Sequence, residues 1–344
     1  MNTLRLNLSG NKHALIPGGF GGFICCAAVA WSQNLSASEP IWVENLAPLA
    51  GLISLPAQRG APLPSGWRVD THLAVASHFV MAESAADTVI FDGETTRYSL
   101  AVEYGWQERW SLRLTVPWIM HRAGFLDGAI NSWHEAFGLR DGGREAFPKD
   151  QFRFQYRSSS HEVSSLSGGD SVGDIRLEVN RRLFQSPDHA AALTLGYKAA
   201  TGEVKYFTGS GSEDIFATLR YSGKGLWQTP LSWHTQVGVT WAGTSELLGP
   251  NQRRSLWFAG LGFEWPVANR WSVLAQFDSH SEVLDSPVRA VGSTSGLLSF
   301  GLRFSPSPSW AFEVSFIEDI IVETAPDVTF QASLRWRPRG ANPH

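Results

Sequence analysis

Polar side chains recur at every second position along much of this 344-residue sequence, and that spacing limits the chemistry open to them. Ser232 and His234 are two residues apart, as are Asp278 and His280, so each pair shares one face of an extended segment. A serine hydrolase needs a hydroxyl, an imidazole and a carboxylate within hydrogen-bond reach, beside a site for an oxyanion. Both pairs lie on the face that a membrane strand turns away from lipid, whereas a lipase of the membrane works on the lipid side. Thr201-Gly202-Glu203 and the run 209–214 have the composition of a phosphate or calcium loop. No strand-to-helix turn follows them, and their acidic spacing is not that of an EF-hand. His134 and Glu135 are adjacent and point different ways on a helix, so no metal centre and no cofactor is expected.

The remaining ionisable side chains form one set. Arg68, Arg97, Arg113, Arg176, Arg182, Lys198, Arg220, Arg303 and Arg335 fall on the same face as Asp70, Glu103, Asp174, Glu178, Asp214, Glu264, Asp278 and Glu313. The candidate lumen-lining residues among them are Arg68, Asp70, Arg97, Glu103, Arg113, Arg176, Glu178, Arg220, Glu264, Asp278, Arg303 and Glu313. Their signs nearly balance, while an ion-selective filter needs one sign to dominate at the constriction. Two readings stand: a weakly selective polar channel, or a lumen of paired charges that holds the interior together.

The elements that must position these groups are strands. Trp67, Val69, Thr71, Leu73 and Val75 alternate with Arg68, Asp70, His72, Ala74 and Ala76. Val328, Phe330, Ala332, Leu334 and Trp336 do the same against Thr329, Gln331, Ser333 and Arg335. Alternation over about ten residues is what a tilted membrane-spanning strand requires, and soluble strands are usually shorter. Such segments fall near 67–79, 94–106, 110–118, 173–184, 189–200, 213–221, 231–242, 255–266, 271–280, 296–305, 310–317 and 328–336. The expected fold is all-β: a transmembrane antiparallel up-and-down β-barrel of about twelve strands with a short loop helix. Short connections at 107–109, 185–188, 222–230, 267–270 and 306–309 alternate with long ones at 80–93, 118–172, 201–212, 243–254, 281–295 and 318–327. Phe152, Phe154 and Tyr156 also alternate, and 151–158 is read as a strand extension or loop hairpin.

Tryptophans supply an independent signal. Trp67, Trp106, Trp110, Trp227, Trp233, Trp265, Trp271, Trp310 and Trp336 sit near short turns, and Trp118, Trp241 and Trp257 near the other strand ends. Two aromatic belts around an apolar band mark the two membrane interfaces. Fifteen Trp and 33 Gly beside 3 Met and 2 Cys fit such a barrel, and a formal charge of −4 excludes a nucleic-acid partner.

At the start, Arg5 and Lys12 precede an apolar run from Ala14 to Trp31, with small residues at Ala28-Val29-Ala30. Residues 1–30 read as a signal peptide that directs export to the outer membrane. Cys25 and Cys26 both lie inside it, so the mature chain would hold no thiol. Residues 31–66 form an aperiodic N-terminal segment, placed on the periplasmic side or tucked into the barrel mouth. The barrel covers 67–336 and a polar tail covers 337–344. In the long outer loop 118–172, Phe125, Leu126, Ala129, Ile130, Trp133, Ala136 and Phe137 recur at helical spacing. Folded inward, a helix over 124–139 would constrict the lumen with Phe125, Asp127, Trp133, His134, Glu135 and Arg144.

Several phrases carry a family resemblance: Asn45-Leu46-Ala47-Pro48-Leu49, Leu55-Pro56 and Phe91-Asp92-Gly93-Glu94-Thr95. More specific are Gly124-Phe125-Leu126-Asp127-Gly128, Trp133-His134-Glu135-Ala136-Phe137-Gly138-Leu139 and Gly142-Gly143-Arg144. Over roughly residues 41–336 the sequence resembles an uncharacterised family of proteobacterial outer-membrane β-barrels, domain of unknown function 3187. The resemblance implies an outer-membrane barrel and brings no catalytic or binding residue with it. Three functions follow as expectations: a porin-like small-solute channel gated by the 118–172 loop; a non-conducting barrel whose outer loops contact lipopolysaccharide or a partner; and a lipid hydrolase. The expected partners are membrane lipid and lipopolysaccharide, the barrel assembly machinery, whose terminal-aromatic signal is weakened here because the last aromatic, Trp336, stands eight residues early, and an unknown small solute.

Overall fold

A computed structural model describes residues 38–124, 151–321 and 323–338. Fifteen strands form one antiparallel sheet: β1 (Gly66–Glu83), β2 (Thr88–Trp106), β3 (Trp110–Arg122), β4 (Arg153–Arg157), β5 (Glu162–Ser165), β6 (Gly169–Val172), β7 (Arg176–Gln185), β8 (His189–Lys198), β9 (Asp214–Lys224), β10 (Ser232–Ala242), β11 (Ser255–Ala268), β12 (Trp271–His280), β13 (Ser295–Ser307), β14 (Trp310–Asp319) and β15 (Val328–Trp336). Twelve of them close a ring. β1 pairs with β2 on one side and with β15 on the other, so that Val69 faces Val102 and Trp336. Closure leaves no free edge within the ring, the condition for a sheet in lipid.

Period-two alternation sorts the side chains. Leu195, Ile215, Leu219, Val237 and Val314 point outward and are 47–59% exposed, while Arg113, Arg220 and Arg303 are among the largest fully buried side chains. An apolar outside around a charged inside inverts a soluble protein and suits a wall that meets lipid. Trp67, Trp106, Trp265, Trp271, Trp310 and Trp336 are exposed beside the short turns, and Trp118, Trp241 and Trp257 towards the opposite strand ends. The short turn Gln107-Glu108-Arg109 has positive φ at Gln107 and Glu108, matching the twist of the strands it joins.

The long loop expected at 80–93 is instead strand. β1 and β2 run on to a turn at 84–87, closed by Ser84 N donating to the Asp87 carbonyl at 2.8 Å. Gly93, at φ +140°, carries β2 through an irregularity, and Val80, Val89 and Phe91 are buried beyond it. Periodicity misses this because the inward positions turn apolar here, as Val80, Val89 and Phe91 show, so polar and apolar side chains no longer alternate although the inward parity is kept. The stretch 151–158 is a loop hairpin that extends the sheet: β4 pairs with residues 88–92 of β2 and with β5, and β6 pairs with the end of β3. The expected signal peptide, the loop helix over 124–139 and the constriction residues Phe125, Asp127, Trp133, His134, Glu135 and Arg144 lie outside the described residues, Gly124 apart.

Candidate functional site in the lumen

The barrel interior is filled by residues 38–65. They start near the short-turn end, where Ser38 Oγ donates to Glu264 Oε2 at 2.8 Å and shares a 2.9 Å hydrogen bond with His234 Nε2. The chain then rises: Ile41 N donates to Gln276 Oε1 at 2.8 Å. Asn45 Nδ2 reaches the Thr324 carbonyl (2.9 Å) and Ser295 Oγ (3.2 Å), and lies 2.9 Å from His280 Nε2, all at the long-loop end. A 3₁₀ turn at Ala50–Leu52 reverses it. The return limb is held by Thr240 Oγ1 to the Ser54 carbonyl (2.5 Å), Gln236 Nε2 to the Pro56 carbonyl (3.1 Å) and Ala61 N to Ser222 Oγ (2.8 Å). It leaves past Gly105, where a methyl group would sit 1.8 Å from the Pro64 carbonyl oxygen, and enters β1. The sequence placed this segment at the periplasmic side or in the mouth; its contacts instead run along the lumen, up and back.

Why these residues enter the barrel is a matter of solvation. Ile41, Trp42, Val43, Leu46, Leu49, Leu52, Ile53 and Leu55 are all buried, and water would penalise their exposure. The turn of the segment joins an apolar cluster at the long-loop end with Val80, Phe91, Phe154, Phe207, Leu248, Phe258 and Leu284. Lower down the interface is polar. Trp42 stacks on His72 with ring centroids 4.1 Å apart, and the Arg113 guanidinium lies 5.0 Å from its ring.

Charges on the segment complete those of the wall. Arg59 donates to Glu103 Oε2 (2.5 Å) and Glu178 Oε2 (2.7 Å). Glu39 accepts from Arg68 (2.5 Å), Arg337 (2.9 Å) and the Gly60 amide (2.8 Å), the last tying the two limbs together. Glu44 bridges Arg97, at 3.0 Å, and Arg176. Other ion pairs stay within the wall and its loops: Asp70 with Arg68, Arg113 and Arg335; Arg303 with Glu264 and Glu313; Lys198 with Asp174 and Asp214.

All twelve lumen-lining candidates occupy the inner face; Asp278 is half-buried and the others are buried. Asp278 accepts from Gln276 Nε2 at 2.7 Å. Arg182 sits nearer the rim, its side chain 20% exposed and 3.4 Å from Glu108. Ser232 and His234 are both buried inward, but His234 bonds Ser38 and Ser222. His280 bonds Asn45 and the Ser281 carbonyl. Sequence reasoning passed over Gly169-Asp170-Ser171-Val172-Gly173, which has the Gly-x-Ser-x-Gly pattern of a hydrolase elbow. It lies on β6 and leads into β7, not into a helix, and Ser171 Oγ bonds Thr208 Oγ1 (2.5 Å) and the Val172 carbonyl (2.9 Å). Sequence reasoning also missed Glu39, Trp42, Glu44 and Arg59. Their signal was an aperiodic stretch too apolar to lie free in water.

An open cleft of about 480 Å³ lies at the short-turn end, lined by Pro62, Pro64, Arg182 and Arg337. Two small cavities lie along the segment, of about 20 Å³ against Glu44, Arg97 and Arg176 and about 10 Å³ against Trp42 and His72. Each of these two has room for about one water molecule. The site thus holds ion pairs and hydrogen bonds that another ligand or water could replace, around a lumen that the segment closes.

Solved outer-membrane channels share this fold. The COG4313 outer membrane channel from Pseudomonas putida F1 aligns over 80% of this chain and 95% of its own, at 13% identity and a TM-score of 0.50. The NanC porin aligns over 79% and 99%, at 8% identity and a TM-score of 0.44. The Ralstonia pickettii toluene transporter TbuX aligns over 86% and 98%, at 10% identity and a TM-score of 0.41. None of the curated proteins compared matches the sequence. The model of the family described as protein of unknown function (DUF3187) matches residues 22–337, the lumen segment and every strand of the ring included, and the chain belongs to that family.

Proposed function

We propose that the protein is an outer-membrane channel for small solutes, held closed by its own residues 38–65. One observation carries this reading: the wall behind the segment is charged. A permanent filling is at least as stable when apolar, because burying an ion pair costs about as much desolvation as its attraction returns. A wall that must also face water needs its arginines, carboxylates and histidines. Here Arg97, Arg176, Glu178 and Arg220 meet segment groups at places that water or solute would take after withdrawal. The loop expected to act as the gate, 118–172, contributes Phe154 and Tyr156 to the apolar cover at the long-loop end, so opening requires that cover to part as well.

The same cluster favours the second reading, a non-conducting barrel whose outer loops meet lipopolysaccharide or a partner. A disulfide distinguishes the two. Ala61→Cys with Ser222→Cys, whose backbone amide and side chain now touch, should lock the segment when oxidised. In planar bilayers we expect single-channel currents under reducing conditions and their loss on oxidation. Silence in both states, including under Glu44→Gln, would establish the non-conducting barrel.

A further inference from the structure

We propose that Arg97 and Arg176 form an anion station on the lumen wall, taken by the Glu44 carboxylate in the closed state and by the carboxylate of a passing organic acid in the open one. The inference rests on the channel reading above and adds the class of solute. Arg97 on β2 and Arg176 on β7 are both buried and converge on one carboxylate, and that carboxylate belongs to the removable segment. They differ in this from Arg68, Arg113, Arg303 and Arg335, each of which has a carboxylate in the wall itself. Two guanidiniums around one carboxylate are a binding geometry in their own right, since the planar fork of arginine matches a carboxylate edge.

A second observation points the same way. Arg113 Nε and Nη2, Arg176 Nε, Arg220 Nε and Asn180 Nδ2 are buried without an acceptor among the described residues, while the Glu44 oxygens meet Arg97 and Arg176 as ion pairs and make no hydrogen bond there. These donors lie on β3, β7 and β9, so that side of the lumen offers more N–H groups than the segment satisfies. Withdrawal of the segment enlarges the excess. Arg97 and Arg176 lose Glu44, and Arg220 loses the Gly60 carbonyl, which it holds at 2.9 Å. Against them, only Glu178 loses its cation, because Glu103 keeps Arg113. Three guanidiniums against one carboxylate leave that stretch of the wall locally positive within a lumen whose charges otherwise nearly balance, and a low-dielectric wall focuses that local field on the passing ion.

The test uses the full chain in planar bilayers. Glu44→Gln removes the charge that the segment presents while keeping its length. We expect it to open more often than the parent protein and to pass chloride several-fold better than potassium under a salt gradient. Citrate added on one side should block the chloride current. Adding Arg97→Gln and Arg176→Gln should abolish both the preference and the block, and Arg97→Lys with Arg176→Lys should retain the preference because the charge stays. A heat-resistant folded band on gels confirms that each variant forms its barrel. Currents in Glu44→Gln without anion preference, or a citrate block indifferent to the two arginines, would overturn the station and leave the channel standing. Folded Glu44→Gln that carries no current at all would overturn both.

Discussion

Replacing Trp42 by Ala tests whether the lumen segment is seated by specific contacts. The indole is 8% exposed and is held between the His72 ring and the Arg113 guanidinium, with Ala57 and Ala101 as its apolar neighbours. Removal forfeits an aromatic stack worth about 0.5–1.5 kcal/mol and a desolvated cation–π contact of about 2 kcal/mol. It also leaves a hole that two alanines are too short to fill. Buried Trp→Ala changes cost about 3–5 kcal/mol in total, and those contacts fall within that sum. At 1.4 kcal/mol per tenfold, the ratio of seated to unseated segment should fall by about a hundredfold to a few thousandfold. The barrel should survive, because the lost contacts lie between segment and wall while the strand ladder is untouched. Single-channel open time and protease cleavage after Arg59 read the seating directly, and heat-resistant gel migration reads the barrel. Trp67→Ala, which removes a lipid-facing indole 54% exposed, is the control and should change neither open time nor cleavage. Equal open time and equal cleavage in Trp42→Ala and the parent protein would refute the reasoning.

Two further substitutions probe the wall. Leu195→Arg puts a charge on the outer face, midway along β8 between Val179 and Ala217, and should lower folding stability in lipid vesicles by about 2–4 kcal/mol. An unchanged urea midpoint would show that this face does not meet hydrocarbon. Arg303→Ala leaves Glu264 and Glu313 buried without their guanidinium and should cost about 3–5 kcal/mol, whereas Arg303→Met with Glu264→Gln and Glu313→Gln should recover most of it. If the triple variant unfolds as readily as Arg303→Ala, the cost is one of packing and not of unpaired charge.

The wall was legible because each strand repeats one instruction. From Trp67 to Trp336 the alternation fixes which side chains face lipid, and with it the inward set from Arg68 to Glu313. The strand Trp271–His280 falls where the pattern places it. The pattern fails over residues 80–91, where inward Val80, Val89 and Phe91 are as apolar as outward Met81 and Ile90, so composition no longer tells the two faces apart. The lumen segment was not legible for a different reason. Its contacts are non-local: Asn45 meets Thr324 and Arg59 meets Glu103, pairings that no local period encodes. Charges in the wall were also expected to answer one another across the barrel, and Asp70 with its three arginines does so. Arg97 and Arg176 were counted in the same balance, yet they answer a residue from outside the strands.

The two ends of the segment are built from different physics, and the difference bears on how a closed state can be both stable and reversible. Around Ser38, Glu39, Arg59 and Ala61 seating exchanges hydrogen bonds to water for hydrogen bonds and ion pairs with the wall, so a neutral contact adds only about 1 kcal/mol net and an ion pair returns about what its desolvation costs. Such contacts fix register more than they hold. Around Leu49, Leu52, Ile53 and Leu55 seating removes apolar surface from water, worth about 1.5–3 kcal/mol for each side chain fully buried. The hold therefore concentrates at the long-loop end, where Phe154, Phe207, Leu248 and Leu284 complete the cluster. In the opening we propose, a solute or partner that disturbs those loops would act on the strongest part of the closure, and once that part yielded, the polar limbs below would exchange their partners one at a time for water. On that proposal the charged wall would lower the barrier to withdrawal: at each step an arginine or carboxylate left by the segment would be solvated at once, where an apolar wall would have to be wetted against its own hydrophobicity.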